Sequence, residues 1–176
     1  MIQIRHALDS DAEGIRRVAR RAWHDAYDAL DPDVIDATIE EWYAGPVGSA
    51  LHGWAEDIPV SDLDVEATML VARDDEQVVG FAQGVAYGPV GTVLRLYVDP
   101  TRHRKRVGTR LYERLREIFA EQGVERVRAL DLADNDASRE FFRKLGFEQT
   151  ATRTVTIGGD PYDEAVYTRE LDETAE

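Results

Sequence analysis

The sequence has no cysteine, and this absence removes several kinds of chemistry at once. Disulfide bridges, cysteine zinc fingers and thiol nucleophiles are all excluded. The chain also has no apolar run long enough to span a bilayer. Its first five residues alternate like a strand and lack the apolar core of a signal peptide. We therefore expect a cytoplasmic protein that makes no membrane contact.

Lysine is nearly absent as well: only Lys105 and Lys144 occur, so almost every basic residue is an arginine. The 35 acidic residues outnumber the 21 basic ones and give a formal net charge of −14. Such a charge disfavours binding to nucleic acid or to anionic membranes. An acidic, lysine-poor surface is typical of proteins from high-salt cytoplasms, where salt screens the self-repulsion. A mesophile with a GC-rich genome is the alternative source.

A length of 176 residues suits one domain with a substantial core, placed over residues 1–176. Hydrophobic periodicity predicts an α/β (α+β) fold with a mixed, largely antiparallel sheet of about seven strands flanked by about four helices. The first helix should start at a capping box, Ser10 to Glu13, and carry its apolar stripe to Leu30. The other predicted helices cover 33–43, 107–119 and 137–145. The predicted strands cover 2–7, 68–73, 77–86, 91–98, 126–133, 148–157 and 163–171.

A strand, a basic loop and a helix start follow one another between Leu94 and Leu111. Five consecutive basic residues, 102–106, form the loop of an otherwise acidic protein. A helix N-terminus offers unpaired amides and a positive dipole end, which stabilise an anion. Gly108 in the first turn lets a phosphate approach the backbone closely. The segment predicts a phosphate-bearing ligand; the alternatives are a solvated loop paired with carboxylates and a nucleic-acid patch.

Two motifs in this order resemble the GNAT superfamily of N-acetyltransferases. The first runs from Leu96-Tyr97-Val98-Asp99-Pro100 through Gly108. The second, residues 135–147, is similar to the family's Asn…Phe-Tyr…Gly-Phe helix. The resemblance implies the GNAT fold over nearly the whole chain and acetyl-coenzyme A as the cosubstrate, with no metal. It further implies direct transfer, in a ternary complex, of the acetyl group to a primary amine of a small molecule or peptide.

The resemblance also implies roles for individual residues. Backbone groups of residues 96–98 would pair with the pantetheine arm, and one amide would act as an oxyanion hole. Amides of residues 104–109 would cradle the pyrophosphate, Asn135 would bond the arm, and Phe142 would pack beside the sulfur. The implied cofactor-binding residues are Leu96, Tyr97, Val98, His103, Arg104, Lys105, Arg106, Val107, Gly108, Thr109, Asn135 and Phe142.

Two residues depart from the family pattern in this cofactor region. Arg106 stands where a first glycine is common, so a backbone with positive φ would be strained there. Phe142 occupies the position of a tyrosine that protonates the leaving thiolate, and phenylalanine cannot donate a proton. The substitute is either water or another tyrosine. The candidates are Tyr97, Tyr112, Tyr162 and Tyr167, of which Tyr97 is favoured as catalytic.

The general base is a third open position, because an ammonium acceptor must lose a proton before it attacks. Thr92 stands where some members have a catalytic glutamate. Asp131 on the following strand is the preferred candidate, against the alternative that it only pairs with an arginine. His24 and Asp25 on the first helix are further candidates, and for His24 a surface or packing role is the alternative.

The acceptor side is predicted from the first helix, where Trp23 and Tyr27 are i, i+4 neighbours that would contact the substrate. The alternative is that both are core residues. The loop 44–66, with His52 and Trp54, would cover this side. Antibiotic, polyamine, amino acid and protein N-terminus all remain open as acceptors, and so does a homodimer through exposed strand edges. A non-catalytic module that senses acyl-coenzyme A is the alternative function.

Overall fold

The computed structural model describes residues 2–27, 30–42 and 65–171, except for the side chains of residues 42, 65 and 103–105. The strands are β1 Ile2–His6, β2 Val65–Asp74, β3 Gln77–Tyr87, β4 Val90–Val98, β5 Arg126–Leu132, β6 Glu148–Ile157 and β7 Asp160–Glu170. The α-helices are α1 Ala12–Ala26, α2 Pro32–Trp42, α3 Val107–Glu121 and α4 Asp136–Lys144, and 3-10 helices cover Asp9–Asp11 and Pro100–Lys105.

These strands form one sheet in the order β1-β2-β3-β4-β5-β7-β6. All neighbours are antiparallel except β4 and β5, which run parallel because α3 forms the crossover between them. Seven strands and four α-helices in the described ranges confirm the predicted fold class.

Helices cover both faces of the sheet, since each helix carries one apolar stripe. On one face α1 and α2 bury residues such as Ile15, Trp23 and Ile39 against β2 and β3. On the other face α3 and α4 bury Leu115 and Phe142 among the side chains of the central strands. Within the described ranges, no helix is both long and apolar enough to cross a membrane.

The end of α4 has the predicted glycine-terminated geometry. Gly146 has a φ of +92°, and its amide donates to the carbonyl of Arg143 at 3.0 Å. The amide of Phe147 donates to the carbonyl of Phe142 at 3.0 Å, and the two rings lie edge to face. This is a Schellman ending with its hydrophobic contact.

Three local expectations are wrong. The capping box at Ser10 does not form, because the Asp11 carboxylate instead accepts the Leu8 amide at 2.7 Å and pairs with Arg5 of β1. Helix α1 ends at Ala26 rather than reaching Leu30. Residues 65–66, placed in the loop 44–66, are the first residues of β2. The remainder of that loop, with the expected lid residues His52 and Trp54, lies outside the described residues.

Glycines at the centre of the sheet make room for α3. A Cβ built on Gly91 would lie 2.9 Å from Cδ2 of Phe119, and one on Gly84 would lie 2.8 Å from Cζ of the same ring. Both distances are too short for a carbon contact, and Phe119 is fully buried. The two glycines therefore set how closely α3 approaches the strands that carry the site.

We expect Gly91→Ala to lower the free energy of unfolding by about 1–3 kcal/mol, because the buried ring cannot move aside freely. Urea unfolding of the single variants and of the double variant with Phe119→Leu measures the coupling. Leucine at position 119 should leave room for the new methyl group. The double variant should therefore lose less unfolding free energy than the sum of the losses in the two single variants. Strict additivity would contradict the predicted contact.

Candidate active site

The sheet opens between β4 and β5. Their parallel ladder joins Val90–Val93 to Arg126–Ala129 and then stops. A β-bulge at Leu94 shifts the register of β4 against β3, and bulges bend a strand and increase its twist. Beyond it, β4 continues beside β3 while β5 continues beside β7, so the two strands no longer pair with each other. A gap follows at their carboxyl ends.

A cleft of about 660 Å³ lies at these carboxyl ends. Its walls are the last turn of α1, the end of β4, and the first turns of α3 and α4. The predicted cofactor-binding residues that line it are Leu96, Tyr97, Val98, Arg106, Gly108, Thr109 and Asn135. The structure thus brings together both motifs, which are separated in sequence by a helix and a strand.

The first turn of α3 faces this cleft. The amide of Arg110 donates to the Arg106 carbonyl at 3.1 Å, and this is the first intrahelical hydrogen bond of α3. The amides of residues 107–109 precede it and therefore have no carbonyl acceptor within the helix. No side chain among the described residues caps the helix at Arg106. A Cβ on Gly108 would lie 3.2 Å from the Phe141 ring, so the hollow between α3 and α4 is narrow. These groups fit a diphosphate, which amides and the helix dipole would hold.

Arg106 itself has left-handed backbone angles, φ +57° and ψ +28°. A residue with a Cβ is uncommon there and costs roughly 1 kcal/mol or more. The expected strain at the position of the family's first glycine is therefore present. Its exposed side chain lines the cleft. The backbone of residues 103–105 belongs to the preceding 3-10 helix, and their side chains lie outside the described part of the chain.

The loop before α3 is anchored at Asp99. This buried carboxylate accepts hydrogen bonds from the amide and the hydroxyl of Thr101, at 3.1 and 2.9 Å. It also accepts one from Nη1 of Arg21 on α1, at 2.8 Å. Burial alone would raise the pKa of Asp99, but these hydrogen bonds outweigh burial and lower it. A second ion pair joins Arg102 to Asp74. The loop is thus fixed to two distant elements.

Asp131 is the centre of a buried hydrogen-bond cluster. Its Oδ1 accepts the Tyr27 hydroxyl at 2.5 Å and the Leu132 amide at 2.8 Å. Its Oδ2 accepts the Ser138 hydroxyl at 2.5 Å and the Asn135 Nδ2 at 3.4 Å. Among the described residues its recorded partners are hydroxyls and amides rather than the arginine considered above. Burial raises the pKa of Asp131, although the bonds from Ser138, Tyr27 and Leu132 partly offset the effect.

Asn135 has a structural role in addition to its predicted contact with the cofactor. Its Oδ1 accepts the Ser138 amide at 3.0 Å and caps α4. Its Nδ2 donates to the Tyr27 hydroxyl at 3.2 Å as well as to Asp131. A bond from this amide to the cofactor arm stays a prediction, and it would require one of these donations to be exchanged.

A small inner cavity of about 20 Å³ lies beside Asp131. Trp23, Tyr97, Arg95 and Glu164 line it together with Asp131. Its volume suits one group the size of a water molecule. Tyr97 lines both this cavity and the cleft. Trp23 and Tyr27 are both buried and lie edge to face, with ring centroids 5.2 Å apart. Their contact with an acceptor stays a prediction.

The two adjacent phenylalanines of α4 have different surroundings. Phe141 lines the cleft. Phe142 is only 4% exposed and stacks on Tyr167 with ring centroids 5.5 Å apart. Whether Phe142 also contacts the cofactor stays a prediction, and no signal in the sequence distinguished the two neighbours.

The other candidate acids and bases differ in whether they line the cleft. Of the four tyrosines considered above, Tyr97 is the one that lines it among the described residues. Asp25 lines it as well, whereas His24 bonds Asp36 of α2 at 2.8 Å. Thr92 pairs with Arg128 in the closed part of the β4–β5 ladder, before the opening.

Ser138 is a site residue that sequence reasoning missed. It lines the cleft and bonds Asp131. Its position three residues after Asn135 places both on the same face of α4, which is a signal the sequence does contain. Within the described ranges, no group of three or more histidine, aspartate and glutamate side chains is arranged to hold a metal ion.

Comparison with known proteins agrees with this geometry. The model of the acetyltransferase (GNAT) family matches residues 20–147. A spermidine N(1)-acetyltransferase of Thermoplasma acidophilum is 25% identical over 148 residues, which cover 84% of this chain and 88% of that protein.

Two solved structures share the fold over almost their full length. The PaiA N-acetyltransferase of Thermoplasma acidophilum, in complex with coenzyme A, has a TM-score of 0.77 at 23% identity and covers 97% of this chain and 99% of that chain. Ard1 of Thermoplasma volcanium has a TM-score of 0.68 at 24% identity, with coverage of 98% and 99%.

The raised pKa of Asp131 predicts a pH-dependent stability. Because the folded-state pKa lies above the ordinary value of 3.8, this group's contribution is fully present below that value and is lost as pH rises through the folded pKa. Relative to Asp131→Asn, which does not titrate, the wild type should therefore lose unfolding free energy as pH rises. Urea unfolding of both proteins from about pH 4 to about pH 8 measures the difference. A difference that grows in favour of the wild type contradicts the prediction.

Proposed function

This chain belongs to the acetyltransferase (GNAT) family, and we propose that it transfers the acetyl group of acetyl-coenzyme A directly to a primary amine in a ternary complex. The enzyme class and the cosubstrate predicted from the two motifs are confirmed. The observation that carries the proposal is the gap between β4 and β5. The end of β4 beside this gap lines both the cleft and the inner cavity, and Tyr97 borders the two spaces, so ligands in them would be neighbours.

Different groups in the cleft hold different parts of the cosubstrate. The cosubstrate supplies the thioester carbonyl that the amine attacks. Amides of residues 107–109 hold the diphosphate, assisted by the charge of Arg106. Backbone groups of residues 96–98 hold the pantetheine arm, and one of their amides stabilises the charge that develops on the carbonyl oxygen. Phe141 lines the same cleft beside Gly108 and supplies an apolar wall to it.

The acceptor amine enters through the inner cavity in this proposal. The cavity admits one small group, such as the ammonium end of a longer molecule. Asp131 and Glu164 offer carboxylates to it, and Trp23 and Tyr97 offer aromatic rings, which attract a cation. Arg95 opposes this attraction, and Glu164 is paired with Arg153 at 3.3 Å. Asp131 is the proposed base that takes the proton of the attacking nitrogen.

A polyamine is the acceptor class that we favour. The relative from Thermoplasma acidophilum is named for spermidine, a polycation. The carboxylates of Asp131 and Glu164 line the inner cavity, and the whole chain carries a net charge of −14. A long cation that leaves the inner cavity would therefore lie near negative charge.

Calorimetry with acetyl-coenzyme A, followed by assays of thiol release, tests this function. We expect binding, and release of thiol with spermidine at a kcat/KM at least tenfold above that for an amino acid or a peptide with a free N-terminus, a factor equivalent to about 1.4 kcal/mol. If acetyl-coenzyme A binds but none of these amines causes the release of coenzyme A thiol, the transferase proposal is refuted for these amines. Release with the peptide alone would replace the polyamine by a protein acceptor.

Arg106 should affect stability and cofactor affinity in opposite directions. Arg106→Gly relieves the left-handed strain and should raise the free energy of unfolding by about 1 kcal/mol. The same change removes a charge from the cleft and should weaken acetyl-coenzyme A binding about fivefold at low salt, and less at high salt. Urea unfolding and calorimetry measure the two effects.

Arg106→Lys is the matched control, since it keeps both the charge and the strain. It should resemble the wild type in both measurements. Unchanged affinity in the glycine variant would show that the side chain of Arg106 takes no part in binding.

A further inference from the structure

Ser138 connects the cofactor cleft to Asp131. Its hydroxyl donates to Asp131 Oδ2 at 2.5 Å, and the residue lines the cleft. Asp131 in turn lines the inner cavity, on the proposed acceptor side. The Leu132 amide and the Tyr27 hydroxyl fix the other carboxylate oxygen. A two-residue chain of hydrogen bonds therefore joins the two spaces in which the substrates are proposed to lie.

The position of Ser138 on α4 matters because of Phe142. The two residues are i, i+4 neighbours on one face of the helix. Helical side chains lean toward the N-terminus, so a phenol at position 142 would lean toward the turn that carries Ser138. Phe142 has no proton to donate, and its ring is buried against Tyr167. The hydroxyl of Ser138 lies in the turn toward which the missing phenol would point.

We propose that Ser138 protonates the leaving thiolate, with Asp131 returning a proton to Ser138. This inference rests on the proposed acetyl transfer. The ammonium group of the acceptor first loses one proton to solvent. The neutral nitrogen then forms the new C–N bond and gives a second proton to the Asp131 carboxylate, while the C–S bond breaks. Ser138 gives its hydroxyl proton to the sulfur and takes the proton from Asp131. The carboxylate is restored, and the net change is the movement of one proton from nitrogen to sulfur.

The chemistry of a hydroxyl permits this sequence. A serine hydroxyl can donate one bond and accept others. While Asp131 is ionised, Ser138 donates to it; once Asp131 carries a proton, the direction of that bond reverses and the Ser138 proton can turn into the cleft. Burial raises the pKa of Asp131, which helps the carboxyl to hold the proton between the two steps.

Tyr97 also lines the cleft, whereas two of the other candidate tyrosines are placed less well for this task. The Tyr112 hydroxyl accepts a bond from Arg169 of β7 at 3.2 Å, and Tyr112 is not among the residues that line the cleft. The Tyr167 hydroxyl is buried with no hydrogen-bond partner among the described residues, and it does not line the cleft. Tyr167→Phe thus removes a hydroxyl close to Phe142 without touching the proposed chain, and it provides a matched control.

A ligand-binding measurement tests the contact without turnover. The carboxyl carbon of Asp131, labelled with ¹³C and assigned by its loss in Asp131→Asn, is observed by NMR with bound coenzyme A and with bound desulfo-coenzyme A. The wild-type resonance should differ between the two ligands, because only one of them presents sulfur to Ser138. In Ser138→Ala the two ligands should give the same resonance. Identical resonances in the wild type would overturn the proposal.

Kinetics supply the second test, with the amine that the thiol-release assay identifies. Ser138→Ala should lower kcat by about 10²-fold and leave the KM for acetyl-coenzyme A nearly unchanged. Ser138→Thr, which keeps a hydroxyl, should recover most of the rate, and Tyr167→Phe should keep it. A loss in Tyr167→Phe equal to that in Ser138→Ala, or no recovery in Ser138→Thr, would overturn the assignment.

The two levels of the proposal fail differently. If wild-type protein does not bind coenzyme A, the proposed function fails and the proton path fails with it. If the protein binds coenzyme A and catalyses acetyl transfer, but the Asp131 resonance is the same with coenzyme A and with desulfo-coenzyme A, only the proton path fails.

Discussion

The separation of β4 from β5 is the constraint on which the rest of the site depends. Parallel pairing ends at Val93 and Ala129 because the bulge at Leu94 turns β4 while β5 stays beside β7. Because the two strands are parallel, their carboxyl ends meet at one edge, where open sheets bind ligands. The helices that follow them, α3 and α4, therefore both begin at the same gap. One bulged strand thus brings two motifs to a single cleft.

Asp131 joins the elements around this opening through hydrogen bonds, although a buried carboxylate is costly in itself. Four donors surround it, and they come from the residue after α1, from β5 and from the start of α4. Removing one donor would leave a buried acceptor unsatisfied, which costs more than the bond itself contributes. The same bonds fix the end of α1 at Tyr27 and the start of α4 at Asn135. Structural support and the proposed proton path therefore share one set of residues.

The sequence predicted the elements well, because helix and strand periodicity is local. The glycine ending of α4 was predicted for the same reason, since Gly146 and Phe147 are adjacent to the helix they terminate. Features set by partners outside the element itself were missed. The Asp11 carboxylate pairs with Arg5, six residues earlier in β1, and does not cap α1. Likewise α1 stops at Ala26, and the next residue, Tyr27, bonds a carboxylate 104 positions away.

The candidate site divides in the same way. Seven of the twelve residues that the two continuous motifs suggest for cofactor binding line the cleft, whereas the Ser138–Asp131 bond depends on how α4 lies against β5. The strain at Arg106 shows how the two kinds of information combine. Its departure from glycine is visible in the sequence, but the reason it is tolerated is not. Asp99 bonds α1, and Arg102 pairs with β2, so contacts from elsewhere in the chain hold the loop in a conformation its own residues disfavour.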